Sequence, residues 1–143
     1  MIQSISSKAS KILSDGIIYT YGRDFHDRPI VYLNLGSIDL KTYHLNDYFS
    51  AFNAVMTIVV KYLFVKGVVE KYCFVIDIGG KSLIGISLDD ILTVIKKLSV
   101  VYANFLGIML ITNSSSFIKM SYFTIKQFIH EETVNNIHIF GPN

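Results

Sequence analysis

By type and position, Asp77 is the residue best suited to act as an acid or base. It stands where the apolar run KYCFVIDI ends, and open α/β sheets place their sites at the carboxyl ends of strands. A structural role competes with that one. Two glycines follow, and the favoured reading is a carboxylate accepting backbone N–H groups from the glycine turn. DIGGKS also carries the ingredients of a phosphate loop. It has the spacing of neither G-x-x-x-x-G-K-[ST] nor G-x-G-x-x-G, and no helix opens directly after it, so a tight strand-exit turn is expected. His26, His44, His130 and His138 are scattered without metal-ligand spacing and read as surface or loop residues. Glu131 and Glu132 are adjacent and would point apart on a helix end, so they do not form a shared acid/base pair. Ser114 to Ser116 lack a G-x-S-x-G context, and a serine there is expected to cap a helix. No catalytic constellation results, and neither a metal nor a cofactor is expected.

Composition narrows the class. A chain of 143 residues is expected to form one domain over residues 1–143, able to bury roughly 70% of the surface its unfolded form exposes. Hydrophobic residues make up 51% and charged residues 17%, against about 25% charged in an average soluble domain, so some of the apolar surplus is expected to line a cavity. A net charge of +2 and a pI near 8.6 are too mild for a nucleic-acid binder, leaving only a weak preference for anionic membranes. The single cysteine, Cys73, lies in an apolar run, so no disulfide framework exists and an inert core thiol in a reducing, intracellular setting is expected. The N-terminus MIQSISSKASKIL lacks the apolar core of a signal peptide. AFNAVMTIVVKYLFVKG is interrupted by Lys61, and LSVVYANFLGIMLIT falls short of the roughly twenty residues that cross a bilayer. Both read as buried elements, and the protein is expected to be cytoplasmic, visiting membranes only peripherally.

These residues need elements to position them. Ser4 to Leu13 reads as a short amphipathic helix ended at Asp15-Gly16. IIYTYG and PIVYLNLG, joined by RDFHDR, read as strands. HLNDYFSAFNAVMTIVVKYLFVKG is expected to be one long helix, capped at Asn46 or Asp47 and stopped by Gly67. KYCFVIDIGG, without alternation, is the pattern of a strand covered on both faces. A second long helix is expected from a Ser87 cap, with Asp89 and Asp90 in its first turn, to a stop at Gly107. IMLITN and NNIHIF are further strands. Between them, SSSFIKMSYFTIKQFIH is expected to be a helix with apolar surface on two sides. Phe117, Ile118, Tyr122, Ile125, Phe128 and Ile129 form one arc, with Met120 and Phe123 beyond a polar stripe of Lys119, Lys126 and His130. Alternating strands and helices imply a mainly parallel sheet with right-handed crossovers and helices packed on it.

The order of these motifs resembles the CRAL-TRIO lipid-binding domain of phosphatidylinositol-transfer, retinal-binding and tocopherol-binding proteins, along nearly the whole chain. GRDFHDRPIVYLNLG is similar to the family's opening hairpin, with Asp27-Arg28-Pro29 standing for G-R-P. VIDIGGKSL is similar to V-x-D-x-x-G-x-S through Asp77, Gly80 and Ser82. YANFLGIMLITNSSSFI aligns on Y-P-E-R-L-G, a strand and N-A-P-x-x-F, and FIHEETVNNIHIFG on F-L-D-x-x-T-x-x-K-I-x-x-x-G. Tyr102, Leu106, Gly107, Asn113, Thr133, Ile137 and Gly141 keep the pattern. The resemblance implies an α/β fold, a mainly parallel β-sheet flanked by helices, with a mobile gate helix over an apolar pocket whose floor is the sheet.

The implied ligand is a lipid or other hydrophobic small molecule, bound without catalysis. Ile118, Met120, Tyr122, Phe123 and Ile125 would border the acyl chains, and Ser82, Tyr102, Asn104 and Asn136 would supply polar contacts. The departures from the family matter here. Members that carry phosphatidylinositol place an acid and a lysine around the headgroup where this chain has Asn104 and Asn136. That removes charge-assisted contacts, while the amides still suit a neutral or zwitterionic headgroup. The helical bundle that usually precedes the domain is expected to be absent, giving a minimal form or a fragment. Two other readings stand beside this one: a protein-interaction module with a vestigial pocket, and an α/β enzyme using Asp77.

Overall fold

The structure is a computed structural model that describes residues 5–79, 88–113, 126–128 and 131–141. Helix α1 (Ser7–Ser14) leads into the hairpin β1 (Ile18–Arg23) and β2 (Pro29–Asn34). Helix α2 (Leu45–Ile58), strand β3 (Tyr72–Asp77), helix α3 (Leu88–Val101), strand β4 (Leu106–Thr112), a short helix α4 (Glu131–Val134) and strand β5 (Ile137–Ile139) follow. The five strands form one sheet in the order β1-β2-β3-β4-β5. Only the β1–β2 pair is antiparallel, as expected of strands joined by a short turn; every later pairing is parallel.

Sequence explains the elements locally. Ser6 caps α1 by accepting the Ala9 N–H at 3.2 Å, and Ala9 and Ile12, on one side of that helix, are fully buried. Helix α2 begins at Leu45 with His44 as its cap, two and three positions before the expected caps Asn46 and Asp47. Asp47 acts from the third helical residue, accepting the His44 N–H at 2.9 Å. Its buried stripe of Tyr48, Ala51, Phe52, Val55 and Met56 follows helical spacing and packs on the sheet, with Phe52 stacked on Phe74 at 5.4 Å.

Two helices end earlier than expected. Helix α2 stops at Ile58 and continues as a π-helical turn, Val59–Leu63, closed by a 2.9 Å bond from Phe64 N–H to Val59 C=O. Gly67 is therefore no helix stop. It supplies a left-handed residue, φ +77°, to the tight turn between the bridged Val65 and Val69. Helix α3 stops at Val101, and a 3-10 turn, Ala103–Phe105, leads straight into β4, so Gly107 lies inside the strand. The expected cap Ser87 lies outside the described residues, as does the expected two-sided helix from Ser114 to His130, except for a 3-10 turn at Lys126–Phe128.

The core lies between the sheet and α1, α2 and α3. Val31, Phe74 and Met109 form one cross-strand row and Leu33, Ile76 and Ile111 the next, each residue at most 1% exposed. The intervening residues point to the opposite face. There Ile30, Tyr32, Val75, Ile108 and Leu110 are half-buried, while Cys73 is only 2% exposed. Burial pushes the Cys73 thiol up to about 11. At pH 8 it is therefore overwhelmingly a neutral thiol. An aromatic disulfide reagent is expected to leave the native protein unlabelled over minutes and to titrate one thiol per chain after denaturation; rapid native labelling would contradict this burial.

Candidate functional site

The β1–β2 turn is built around a carboxylate. Asp24 Oδ1 accepts the N–H groups of His26 at 2.8 Å and Arg28 at 3.0 Å, and its Oδ2 accepts Arg28 Nε at 2.6 Å. Asp27 takes a left-handed conformation, φ 60°, which accounts for glycine at the equivalent position of G-R-P. Burial opposes the Asp24 charge, but the hydrogen bonds from Arg28 and His26 outweigh it and hold the pKa below 3.8. A depressed native pKa means stability that is fully present at neutral pH. It declines as pH falls past 3.8 and is gone once pH passes the lower native value. Asp24→Asn is expected to cost about 1–2 kcal/mol at pH 7. The gap to the parent should narrow in acid, as read by urea melts at several pH values; a pH-independent gap would refute the assignment.

That turn positions Arg28 at the end of the sheet where the parallel strands begin. An open cavity of about 530 Å³ lies there, lined by His26, Arg28, Val68, Val69, Glu70, Lys71, Leu106, Gly107 and Asn136. Three cation-forming side chains and one carboxylate share this lining with three apolar residues and an amide. Lys71 Nζ donates to the Asn104 carbonyl at 3.0 Å. Gly107 keeps the cavity open. A Cβ built there would stand 3.0 Å from Arg28 Nη1 and 3.2 Å from both Arg28 Cδ and Lys71 Cβ.

The sequence-expected site residues divide accordingly. Asn136 lines the cavity, whereas Asn104 is exposed and outside its lining, touching it only through the backbone carbonyl that accepts from Lys71. Tyr102 is placed elsewhere. Its hydroxyl donates to Asn53 Oδ1 on α2, its ring meets Phe52 edge-on at 5.7 Å, and burial raises its pKa so that the proton stays on oxygen. Ser82, Ile118, Met120, Tyr122, Phe123 and Ile125 lie outside the described residues. Sequence reasoning missed Arg28 and Lys71 as cavity residues. Both flank strands and read locally as ordinary boundary charges; only the alignment of Arg28 with G-R-P gave a signal.

At the opposite end of the strands, Asp77 Oδ1 accepts the Gly79 N–H at 2.9 Å and Asn113 Nδ2 at 2.8 Å. The structural role weighed for this carboxylate is the one observed. Asn113, at φ 56°, is held so close that a Cβ on Gly79 would meet its Cβ at 2.9 Å. No group of three or more His, Cys, Asp or Glu residues that could hold a metal occurs among the described residues, and no helix there is long and apolar enough to cross a membrane.

Comparison with known proteins places this geometry in context. Residues 13–143 match the CRAL/TRIO domain. No curated protein matches by sequence. The fold is similar to the crystal structure of Sfh5, with a TM-score of 0.69 at 13% identity. The match covers 97% of this chain and 50% of the Sfh5 chain, so the sequence spans half the length of that protein.

Proposed function

The chain belongs to the CRAL/TRIO domain family, and from that premise we infer that it binds, and exchanges at membranes, a lipid or other hydrophobic molecule without catalysing a reaction. The observation that carries this reading is the cavity at the strand N-termini, where Val68, Val69 and Leu106 adjoin Arg28, Lys71 and Asn136. Apolar walls with a few oriented polar groups are what a site for an amphiphile requires. Here the polar headgroup would lie among Arg28, Lys71, Asn104 and Asn136. Lys71 supplies a cation from a different position than the family's headgroup lysine, which favours a phosphate-bearing headgroup that is zwitterionic overall. Tyr102 would have to share its hydroxyl between ligand and Asn53.

The acyl chains would run beneath the 113–136 connection. In this reading Ile118, Met120, Tyr122, Phe123 and Ile125 form the gate, Ser82 adds a polar contact, and burial of the chains drives binding. The protein would act in the cytoplasm as a peripheral visitor to bilayers, and a protein partner is compatible with that role.

Native mass spectrometry of the purified chain, followed by solvent extraction and lipid identification, tests the reading. A stoichiometric co-purified lipid is expected. An empty protein that also takes up no fluorescent lipid would overturn it. It would favour instead an interaction module docking through the half-buried apolar row Tyr32, Val75 and Leu110 on the face opposite α2.

A further inference from the structure

We propose that the end of the molecule formed by the β1–β2 turn and the Val59–Lys71 segment is the surface with which this protein docks on an anionic bilayer. The two segments form one body. Arg23 Nη2 donates to the Leu63 carbonyl at 2.8 Å while its Nη1 donates to Asp27 C=O at 2.7 Å, and residues of both line the same cavity. Left-handed residues at Asp27 and Gly67 close both turns tightly, so their tips project as fixed points.

The tips carry the wrong residues for water. Phe25 is 105% exposed, Val68 78%, Tyr62 68% and Val65 49%. Turn tips are ordinarily polar, since Gly, Pro, Asn, Asp and Ser dominate them. A hairpin tip bearing an exposed phenylalanine, next to a turn bearing Val65 and Val68 and the π-helical turn bearing Tyr62, gives this end several apolar side chains outside the core. The same two segments carry four exposed cations: Arg23, Lys61, Lys66 and Lys71. Lys61 Nζ lies 5.2 Å from the centroid of the Tyr62 ring, the aromatic-and-cation pairing suited to an interface that is apolar below and anionic above.

The acidic groups at this end offset that charge only in part. Asp24 is paired with Arg28, and Glu70, whose Oε1 accepts the Gly67 N–H at 3.1 Å, and Asp27 stand against the four exposed cations, leaving the end net positive. Exposed apolar side chains on the same segments as exposed cations is the pattern of interfacial adsorption, in which buried apolar area and attraction to anionic lipid act together. A protein partner would not need the cations to share the segments of the apolar tips. The inference rests on the lipid-carrying reading only in that exchange gives the protein a reason to reach a bilayer.

Vesicle flotation tests it, using phosphatidylcholine vesicles with and without added phosphatidylserine. The native chain is expected to float with the phosphatidylserine vesicles and to be released by salt. Lys61→Glu combined with Lys66→Glu, and separately Phe25→Ser combined with Tyr62→Ser, should each lower the partition coefficient by about tenfold or more. Thermal melts confirm that these exposed substitutions leave the fold intact. Phe25→Ser alone replaces that pair should it melt early. Absence of flotation, or flotation equal for native and both variant pairs, overturns the proposal. Lipid content by native mass spectrometry is read in parallel. Loss of flotation with the lipid retained sinks docking alone, whereas an empty protein that still floats sinks the lipid-carrying reading and leaves docking standing.

Discussion

Phe74→Ala is expected to lower the free energy of unfolding by about 3–5 kcal/mol, the range for emptying a fully buried aromatic site. Phe74 is 0% exposed at the centre of β3, between the ring of Phe52 at 5.4 Å and that of Tyr72 at 5.9 Å. Its position magnifies the loss. Strand β3 is paired on both edges, so its neighbours cannot collapse into the void without distorting two ladders. A domain of this size is stable by only about 5–15 kcal/mol, so the variant would sit close to unfolding at physiological temperature. Urea denaturation should show a lower midpoint with an unchanged slope. Phe74→Leu, which keeps most of the volume, should cost well under half as much. A loss below about 1 kcal/mol for the alanine variant would mean that this aromatic stack does not organise the core.

What the sequence made legible was local or motif-bound. KYCFVIDI, apolar at every position from Tyr72 up to its aspartate, read as a strand covered on both faces. The structure shows why: Phe74 and Ile76 meet the helices while Cys73 faces the other side and is also buried. The hairpin was readable because Asp27-Arg28-Pro29 combines a residue tolerant of left-handed backbone with one that fixes φ. The family's architecture followed from the same motifs in order. Helix ends were misread for a physical reason. VVKYLF continues the apolar character of α2, and nothing in a periodicity of 3.6 marks the point where the chain widens into a π-helical turn.

The candidate site was legible only where a motif pointed at it. Asn104 and Asn136 stood out as departures from a pattern, and both proved to belong to one end of the sheet. Lys71 did not stand out, because a single lysine before an apolar strand is the commonest of boundary residues. Tyr102 was assigned to the ligand through its place in the Y-P-E-R-L-G motif, which gives no sign of its partner Asn53, on a helix far earlier in the chain. Pairings of that kind depend on tertiary packing, which no local window contains. Gly107 shows the same limit. A glycine after an apolar helical run signals a helix stop, and what it does here is leave space for Arg28 and Lys71, neither of which is near it in sequence.

That space makes Gly107→Leu the most discriminating change for the proposed site. Its backbone is not left-handed, so a side chain is conformationally allowed, and the cost arises from what the new atoms meet. A Cβ alone stands 3.0 Å from Arg28 Nη1 and 3.2 Å from Lys71 Cβ; the remaining methyl groups of leucine would push both cations aside or occupy the cavity. Arg28 is held by two atoms of Asp24, and Lys71 is met at its Cβ, which the backbone beside β3 fixes, so neither yields easily. The cavity, rather than the turn, is therefore expected to give way. Stability should fall by only about 1–3 kcal/mol, the usual cost of overpacking, while bound lipid, read by native mass spectrometry, should drop by about tenfold or more, in line with the loss of charge-assisted headgroup contacts. Gly107→Ala, whose single methyl requires a shift of a few tenths of an ångström from the Arg28 side chain and a slight give of the backbone that carries Lys71 Cβ, should retain most of the lipid. If the leucine variant keeps its full lipid content with the fold intact, the headgroup does not occupy this cavity. The ligand would then have to be sought beneath the β4–β5 connection alone.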